Sequence, residues 1–268
     1  MKNQAYTAAP FLRPTAMTQS ILITGASAGI GRALAFAFAR RGYALALAAR
    51  RVESLTSLRA ELESSHPGVR VELAALDVNQ TETVKPVVEE LAQRLGGLDI
   101  VVANAGIGDG AGPVGTGDFR RDAAVIHTNV LGAMATLDAA IAVFRRQKRG
   151  QVVAVSSVAS ARGLPGAGAY SASKAAIAVY ADAARAELHH TPITVTTIYP
   201  GYIDTDMNRR MKSRPFLVTV EDGAERIAKR IEQRVQQAAV PGFPWALMMW
   251  LLRRLPTGMM AKQNPFKE

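Results

Sequence analysis

The feature of this sequence that most constrains its fold is a regular alternation of short apolar runs with longer amphipathic segments between residues 20 and 200. Several of the runs are almost continuously apolar, which is typical of strands buried on both faces of a parallel sheet. The segments between them have the length and period of helices. The predicted strands are residues 20–24, 44–49, 69–76, 98–103, 150–156 and 193–199, and the predicted helices include 30–41, 52–64, 81–95, 119–145 and 170–189. The alternation predicts an α/β fold, a doubly wound parallel sheet with helices on both faces.

The domain organisation is simple. No linker rich in Pro, Gly or Ser and no internal repeat divides the chain, so we predict one domain over residues 20–240. Residues 1–19 are predicted to be a flexible N-terminal extension, within which Met17 is an alternative translation start. Residues 241–268 are predicted to form an apolar C-terminal segment that packs on the same domain or on a partner subunit.

The composition excludes several classes of function. Of the 268 residues, 49% are hydrophobic and 20% are charged, as in an ordinary soluble globule. There is no cysteine, so disulfides and thiolate chemistry are excluded, and the chain fits a cytoplasmic, reducing compartment. The histidines have no carboxylate or thiolate partner at ligand spacing, so no metal site is predicted.

The net charge of +10 raises nucleic acid, an anionic membrane and a phosphorylated ligand as partners. Residues 205–268 hold 12 Lys and Arg against 6 Asp and Glu, which supplies +6 of this excess. Four of these cations mix with acidic residues on a predicted helix over 220–237, as on a solvated helix face. Neither a zinc-finger spacing nor an RNA-binding aromatic pattern accompanies the charge, so nucleic acid is not predicted to bind.

A glycine-rich turn follows the first predicted strand and leads directly into a helix. In this stretch, TGASAGIG, Gly25 can take a positive φ, while Gly29 and Gly31 leave room for a ligand and for packing of helix on strand. The start of the helix offers free N–H groups and a positive dipole end to a pyrophosphate. The turn therefore predicts a nucleotide site, although its spacing departs from the G-x-G-x-x-G fingerprint.

The end of the second predicted strand indicates which nucleotide binds. An acid about 20 residues after the glycines would bind the ribose hydroxyls of NAD, whereas a 2′-phosphate needs positive charge there. This chain has Arg50 and Arg51 at that point, preceded by Ala49. Two guanidinium groups can hydrogen-bond a phosphate, and Ser27 can add a hydroxyl. The sequence therefore favours NADP(H) over NAD(H).

The chemical groups lie further along the chain. Tyr170 and Lys174 are four residues apart on a predicted helix, so their side chains share one face. An ammonium next to the phenol, with an oxidised nicotinamide nearby, is expected to lower the tyrosine pKa toward the working range of a general base. Ser156 and Ser157 end the fifth predicted strand, where side chains face the ligand crevice of such sheets.

Together these residues and motifs resemble the short-chain dehydrogenase/reductase family, in its compact single-domain branch. The resemblance covers residues 20–205, about seventy per cent of the chain, with the motifs in the family's order and spacing. It implies a seven-stranded Rossmann sheet, hydride exchange between a nicotinamide and a carbonyl/alcohol pair, and a homodimer or homotetramer. The motifs are TGASAGIG at 24–31, DV at 77–78, ANAG at 103–106, Asn129, Ser157, YSASK at 170–174 and PGYIDT at 200–205.

The resemblance also implies roles for individual residues. Tyr170 would be the acid/base, Lys174 would lower its pKa and hold the nicotinamide ribose, Ser157 would bind the substrate oxygen, and Asn129 would hold a relay water. Ala103 stands where the family commonly has a second Asn. The implied cofactor contacts are Gly25, Ser27, Gly29, Ile30, Gly31, Arg50, Arg51, Asp77, Val78, Asn104, Ala105, Gly106, Tyr170, Lys174, Pro200, Gly201, Ile203 and Thr205.

The predicted function is therefore that of an NADP(H)-dependent oxidoreductase acting on a small-molecule carbonyl or alcohol. Residues 206–222 occupy the position of the family's substrate-covering loop, and their apolar side chains favour an apolar or amphipathic substrate. The glycine-rich stretch 106–117 is predicted to be a mobile rim of the crevice. Two alternatives are a peripheral membrane reductase of lipid-derived carbonyls and a non-catalytic NADP-binding regulatory protein.

The segment PWALMMWLLRRLP, residues 244–256, is predicted to form a helix from Trp245. It is too short to cross a membrane, and it lacks the polar face of an interfacial helix until Arg253. A helix that is apolar all round must be covered by the protein or by a second subunit. We predict that it forms a lid or lobe over the substrate cleft, shared with a partner subunit, and docking on a membrane is the alternative.

Overall fold

The protein is described by a computed structural model over residues 18–108, 113–115, 119–209, 211 and 213–261. Within these residues the strands are β1 (Ser20–Thr24), β2 (Ala44–Ala49), β3 (Val71–Ala75), β4 (Ile100–Ala103), β5 (Gly150–Val155), β6 (Ile193–Pro200) and β7 (Gln237–Val240). The helices are α1 (Gly29–Ala39), α2 (Val52–Ser65), α3 (Thr81–Leu95), α4 (Phe119–Ile126), α5 (Ala133–Gln147), α6 (Gly168–Glu187), α7 (Val220–Glu232), α8 (Gly242–Leu252) and α9 (Thr257–Ala261).

The seven strands form one parallel sheet in the order β3-β2-β1-β4-β5-β6-β7. The order reverses between β1 and β4, where Ile21 pairs with Leu45 on one side and with Ile100 on the other. Such a reversal opens a crevice at the carboxyl ends of the strands, because the connections leave in opposite directions. The predicted doubly wound fold with seven strands is confirmed.

Helices cover both faces of the sheet, as its continuously apolar strands require. Strands β1, β2 and β5 are buried at every position. On one face Leu22 belongs to a core with residues of α3, α5 and α6, and on the other Ile21 and Ile23 belong to a core with residues of α1, α2 and α7. The alternation of side chains along each strand therefore divides the core into two layers.

One predicted helix is interrupted in the structure. The stretch predicted as a single helix over 119–145 consists of α4 and α5, joined by a π-helical segment, His127–Gly132. Apolar period alone does not show this change of winding, because π-helical turns add only one residue. The combined helix, 119–147, is long and apolar enough to span a membrane by length and composition, yet half of the window that qualifies is buried in the protein. It is a core helix.

The C-terminal segment contains the predicted helix, α8. Trp245 and Met249 are buried, at 3% and 8% exposure, while Leu247, Trp250 and Leu251 on its other side are exposed. The helix was predicted to be covered by the protein or by a second subunit, and the chain itself covers one face of it. The guanidinium of Arg162 donates to the carbonyl oxygen of Leu255 at the end of the helix and anchors it to the segment that follows β5.

Candidate active site

The candidate site is a cavity of about 320 Å³ at the carboxyl edge of the sheet. It lies where the strand order reverses, as the fold requires. Every residue predicted to contact the cofactor lines it except Gly31, and among the predicted catalytic residues Ser157, Tyr170 and Lys174 line it. The structure thus brings together side chains that are up to 180 residues apart in the sequence, and their individual roles stay predictions.

The glycine turn packs tightly against the neighbouring strand. Gly25 has a φ of +67°, and a Cβ on it would lie 2.8 Å from the Cα of Ala105. Gly31 lies behind the cavity wall, where a Cβ would come within 2.4 Å of the Gly25 carbonyl oxygen and 2.6 Å of Asn104 Nδ2. Only glycine at these positions allows α1 to begin directly beneath the turn, so that its first N–H groups face the cavity.

The side chain of Asn104 holds this turn in place. Its amide nitrogen donates to the carbonyl oxygens of Thr24, at 2.9 Å, and of Gly25, at 3.3 Å. The hydroxyl of Thr24 in turn accepts the backbone N–H of Asn104 at 3.1 Å. Since its amide is engaged in this way, Asn104 acts on a ligand mainly through the shape of the turn. Ala103, where the family commonly has Asn, is buried in the core.

At the other end of the cavity three side chains form the chemical centre. Ser157 follows β5, where its hydroxyl donates to the Pro200 carbonyl oxygen at 3.4 Å and its oxygen accepts the N–H of Ala159 at 3.1 Å. It shares the cavity wall with the Tyr170 phenol, whose ionised form it favours. Lys174 lies one helical turn after Tyr170, with its Nζ 5.8 Å from the centre of the phenol ring. The same ammonium donates to the Val155 carbonyl oxygen at 3.0 Å. Strand β5 therefore positions both the hydroxyl and the ammonium beside the tyrosine.

Burial controls the titration of this centre. Desolvation lowers the pKa of Lys174 to about 8, because the side chain is only 5% exposed. Desolvation also raises the pKa of Tyr170, and the hydrogen bond from Ser157 opposes this only in part. The expected depression of the tyrosine pKa by Lys174 is thus not produced by the protein alone. Within the protein, Tyr170 is a neutral phenol at pH 7, which is the form that donates a proton.

Asn129 lies behind the cavity wall on the π-helical segment. Its side-chain oxygen accepts the N–H of Ile107 at 2.8 Å, and its amide donates to the Ile107 carbonyl oxygen at 2.9 Å and to Ser173 Oγ at 3.1 Å. A Cβ on Gly106 would lie 3.1 Å from Asn129 Oδ1 and 3.4 Å from Lys174 Nζ. The glycine therefore lets the asparagine and the lysine approach the same point, and the wider π-turn directs Asn129 inward.

The nucleotide end of the cavity is basic. Arg50 and Arg51 are exposed at the end of β2, and neither has an ion-pair or hydrogen-bond partner within the described residues. Two cations at the start of α2 are unfavourable for the helix dipole. Asp77 lines the cavity one strand further on, where its carboxylate accepts the N–H of Asn79 at 3.1 Å. Positive charge thus stands at the end of β2, and the acid stands at the end of β3.

Several lining residues escaped the sequence analysis. Most are neighbours of predicted residues, so adjacency along the strand ends was the signal that could have found them. Two of them, Thr128 beside Asn129 and Asn79 beside Val78, also bond each other: the Thr128 hydroxyl donates to Asn79 Oδ1 at 2.9 Å across the wall. The additional lining residues are Ala28, Ala49, Leu76, Asn79, Thr128 and Val155, whereas Ile107, Ser156 and residues 206–208 belong to segments that were predicted to border the crevice.

The substrate side of the cavity is apolar at its rim. Met207 lines the cavity and approaches Gly108 so closely that a Cβ there would lie 2.7 Å from Met207 Cγ. Phe216, further along the same loop, is exposed on one side and packs its ring 6.0 Å from that of Trp245. Residues 109–112, 116 and 117 of the predicted mobile rim lie outside the described residues.

The apolar tail supports this wall from behind. No residue between 241 and 261 lines the cavity of the single chain. The lid or lobe shared with a partner subunit stays a prediction. Trp245 packs on Gly201, where a Cβ would lie 2.3 Å from the indole nitrogen, and stacks edge-on against Tyr202. The helix therefore reaches the cavity only through the backbone of Gly201.

The comparisons with known proteins agree with this geometry. The family model of the short chain dehydrogenases matches residues 19–215. The chain belongs to the short-chain dehydrogenase family. This dehydrogenase is 41% identical over 239 residues to an uncharacterized oxidoreductase of Mycobacterium tuberculosis, covering 89% of this chain and 94% of the relative. The predicted family is confirmed, and with it the assignment as an oxidoreductase that binds a nicotinamide cofactor.

Two further similar proteins are dehydrogenases with a stated cofactor or ligand. The dehydrogenase is 34% identical over 191 residues to the NADP-dependent 3-hydroxy acid dehydrogenase of Schizosaccharomyces pombe, covering 71% of this chain and 73% of that one. Its structure is similar to that of an alcohol dehydrogenase from the archaeon Thermococcus sibiricus complexed with 5-hydroxy-NADP. That likeness has a TM-score of 0.76 and 31% identity, and it covers 83% of this chain and 96% of the other.

The residues present fit a nicotinamide dinucleotide. The turn from Gly25 to Gly31 forms a cradle that side chains would fill, and the first turn of α1 supplies N–H groups for a pyrophosphate. The centre at Tyr170 lies at the opposite end of the same cavity, where a reacting ring would meet a substrate. Within the described residues no three His, Asp or Glu side chains converge on a metal position.

Proposed function

We propose that this dehydrogenase is an NADP(H)-dependent oxidoreductase that interconverts a carbonyl compound and an alcohol, with Tyr170 as acid/base. The observation that carries the proposal is the arrangement of Tyr170, Ser157 and Lys174 on one wall of the cavity. Two hydroxyl groups border the same space, and a buried ammonium lies 5.8 Å from the phenol ring. This set can bind a carbonyl oxygen and exchange a proton with it.

In the direction of reduction, the hydroxyls of Ser157 and Tyr170 donate hydrogen bonds to the substrate carbonyl oxygen and polarise it. When bound, the reduced nicotinamide supplies the hydride that the carbonyl carbon accepts. Tyr170 gives its proton to the oxygen, which becomes the hydroxyl of the product. The raised pKa of Tyr170 keeps the phenol protonated at pH 7, which is the form that this direction starts from. The Lys174 ammonium stabilises the phenolate that remains.

The preference for NADP(H) rests on the charge at the end of β2. Arg50 and Arg51 border the cavity, while no acid stands at that strand end to bind ribose hydroxyls. Ser27, which lines the same region, adds a hydroxyl donor. The relative from Schizosaccharomyces pombe is NADP-dependent, and the archaeal alcohol dehydrogenase forms a complex with 5-hydroxy-NADP, which supports the same choice.

The test of this preference is a cofactor titration with the double variant Arg50→Gln/Arg51→Gln. Charge-assisted hydrogen bonds contribute about 1.5–3 kcal/mol, so we expect NADPH to bind about 10- to 100-fold more weakly. NADH lacks the 2′-phosphate, and its affinity should change by less than about threefold. A fluorescence titration of reduced nicotinamide measures both.

The matched control is Arg59→Gln on α2, the helix that follows Arg51; this exposed arginine pairs with Glu63 and does not line the cavity. It should leave both affinities unchanged. If the double variant weakens NADH and NADPH equally, or if the parent protein binds NADH as tightly as NADPH, then the preference for NADP(H) is wrong while the reaction stands.

For the substrate we propose an apolar or amphipathic carbonyl compound. Met207 and Ile107 line the cavity, and the exposed side chains of Met211, Phe216 and Leu217 continue the apolar character along the loop beside it. Absorbance at the nicotinamide band, recorded with a homologous series of ketones and aldehydes, should show kcat/KM rising with apolar chain length. Preference for short polar carbonyls would contradict this substrate class.

We propose further that the dehydrogenase acts as a homodimer or homotetramer. Large apolar side chains on α4 to α6 are exposed in the single chain, including Phe119 at the start of α4 and Val179 on α6. Several large exposed apolar side chains of this kind are typical of subunit interfaces. Sedimentation equilibrium should give at least twice the mass of one chain, and a monomer at micromolar concentration would contradict the proposal.

A further inference from the structure

The exposed face of α8 is an apolar surface that the chain does not cover. Leu247, Trp250 and Leu251 lie on one side of the helix, with Trp250 exposed by 52%, and Phe243 just before its regular turns is exposed by 81%. Met259 on α9 is exposed as well. We call these five residues the tail patch. Large apolar side chains grouped in this way mark contact sites rather than ordinary surface.

The tail patch is separate from the core-facing side of the same helix. Trp245 and Met249 occupy that side, packed on Gly201 and against Tyr199. Arg162 anchors the end of the helix through the Leu255 carbonyl oxygen. The protein therefore holds α8 by one face and presents the other outward.

The charges that the C-terminal segment itself carries next to the tail patch are positive. Arg253 and Arg254 are exposed at the C-terminal end of α8, and the guanidinium of Arg254 lies 4.0 Å from the centre of the Trp250 ring. From Gln233 to Ala261 the sequence contains no Asp or Glu. Trp and Arg are the side chains that favour the boundary between apolar lipid and water, the arginine extending its charge outward.

We propose that the tail patch docks the dehydrogenase on an anionic lipid surface. The lack of a polar face along α8 argues against an interfacial helix only for a helix that is free in water. Here the protein body covers the opposite face, so the helix needs no polar side of its own. Its apolar side chains enter the lipid boundary, while Arg253 and Arg254 contact the headgroups.

Two other occupants fit the observations less well. A second copy seated on the tail patch about a twofold axis would bring four arginines together, and this segment has no acid to pair with them. A span across the bilayer is excluded by length, because 11 residues extend about 16 Å along a helix against a hydrocarbon core of about 30 Å. Electrostatic complementarity therefore favours an anionic lipid surface. The inference does not depend on the reaction proposed above.

The test is co-sedimentation of the full chain with phosphatidylcholine vesicles that contain about 30% phosphatidylglycerol, which imitates an anionic leaflet. Pure phosphatidylcholine vesicles serve as the comparison. We expect binding to the mixed vesicles that weakens as NaCl is raised, because salt screens the headgroup charge. The double variant Leu247→Glu/Trp250→Glu should lower the partition coefficient at least about a hundredfold, since it replaces apolar contacts by charges.

Charge is tested separately with Arg253→Gln/Arg254→Gln, for which we expect a loss of about thirtyfold in partition coefficient. The matched control is Lys229→Gln/Arg230→Gln, which removes two exposed cations from the end of α7 and so changes net charge equally. This control should bind like the parent. Unchanged turnover and NADPH affinity in all three variants, together with unchanged melting temperature, show that each is folded.

The inference is overturned if the parent protein sediments no better with the mixed vesicles than with none. It is also overturned if the two α8 variants bind as the parent does, or if the α7 control loses as much binding as Arg253→Gln/Arg254→Gln. A fourth result that overturns it is a drop in oligomeric mass of Leu247→Glu/Trp250→Glu without any effect on vesicle binding, because the tail patch would then be a subunit interface.

Discussion

The two ends of the cavity differ in how far the chain itself satisfies their polar groups. At the chemical end Ser157 is hydrogen-bonded to neighbouring protein atoms, and Lys174 donates to the Val155 carbonyl oxygen. At the nucleotide end Arg50 and Arg51 have no partner within the described residues. Between them the glycine turn offers backbone N–H groups and no side-chain charge.

The two ends of the cavity therefore contribute to function in different ways. The chemical end is preorganised, because side chains that already have their partners need no rearrangement when a carbonyl arrives. At the nucleotide end, by contrast, the guanidinium groups of Arg50 and Arg51 are exposed to water. They form charge-assisted hydrogen bonds only when an anion binds there. Substitutions at the chemical end should therefore lower turnover, whereas substitutions at the nucleotide end should lower cofactor affinity.

The largest effect is expected for Tyr170→Phe, which removes the proton that the chemical end donates. Turnover in either direction should fall by at least about a thousandfold, while NADPH affinity changes less than about threefold. Stopped-flow absorbance and a fluorescence titration measure the two quantities. Tyr180→Phe, ten residues later on the same helix and away from the cavity, is the control and should keep full turnover. Near-parental turnover of Tyr170→Phe would refute the assigned chemistry.

The second effect concerns the backbone of the nucleotide end. In Gly31→Ala the new Cβ would lie 2.4 Å from the Gly25 carbonyl oxygen, so the turn must open. We expect a loss of about 2–3 kcal/mol in the free energy of unfolding and at least about tenfold weaker NADPH binding, although alanine is the better helix former.

Denaturant unfolding and cofactor titration measure the Gly31→Ala effect. Gly163→Ala meets no atom within 4 Å and should be neutral by both measures. A Gly31→Ala protein as stable as the parent would show that the turn is softer than its contacts imply.

Burial of Lys174 should appear in the pH dependence of stability. Its pKa of about 8 in the folded protein lies below the ordinary value of 10.5, so folding disfavours the charged form. The penalty is complete below pH 8 and is relieved as the pH rises from 8 to 10.5. Relative to Lys174→Met, the parent should therefore gain up to about 3 kcal/mol of unfolding free energy over that window.

Urea unfolding of both proteins at pH 7 and pH 10 gives this Lys174 difference directly. Other groups titrate in both proteins and cancel in the comparison. A difference that does not change with pH would mean that the Lys174 ammonium is better solvated than its 5% exposure indicates.

A smaller effect is expected behind the cavity wall, at the contact of Gly201 with Trp245. Gly201→Ala would place a Cβ 2.3 Å from the indole nitrogen, and we expect about 1–2 kcal/mol of destabilisation from overpacking. The double variant Gly201→Ala/Trp245→Leu should lose less unfolding free energy than the sum of the losses of the two single variants, because the smaller leucine makes room for the new Cβ. Thermodynamic coupling near zero in this double-mutant cycle would show that the tail does not support the wall.

The smallest effect belongs to an ion-pair cluster far from both ends. Glu225 on α7 accepts hydrogen bonds from Arg41 and Arg40 of the α1 end, and the Arg41 contact lowers its pKa to about 2. Because the pKa of Glu225 is lower in the folded protein than the ordinary value of 4.5, its ionised carboxylate stabilises the fold above pH 4.5. This contribution is lost as the pH falls from 4.5 toward 2.

The Glu225 carboxylate is about half exposed, so Glu225→Gln should cost at most about 1 kcal/mol at pH 7 and nothing near pH 2. Thermal unfolding at the two pH values measures it. A cost of several kcal/mol at pH 7 would show that this cluster, rather than the sheet, holds α1 to α7.

Much of the molecule could be predicted from sequence because the relevant signals are local. A parallel strand buried on both faces must be continuously apolar, so runs such as 44–49 identified the sheet. Gly25 and Gly31 indicated the cradle, since a tight turn and a close backbone contact both require glycine. The i, i+4 spacing of Tyr170 and Lys174 put both on one helix face.

The sequence was thus enough to predict the α/β architecture, the family and the set of residues that gather at one edge of the sheet. The tertiary structure alone decided three further matters, since each depends on contacts between distant segments. Burial of Tyr170 and Lys174 sets the direction in which their pKa values move, the π-turn directs Asn129 toward Ile107, and Gly201 receives Trp245 behind the cavity wall. The sequence of α8 is apolar on every side, so only the packing in the folded protein shows which face is covered.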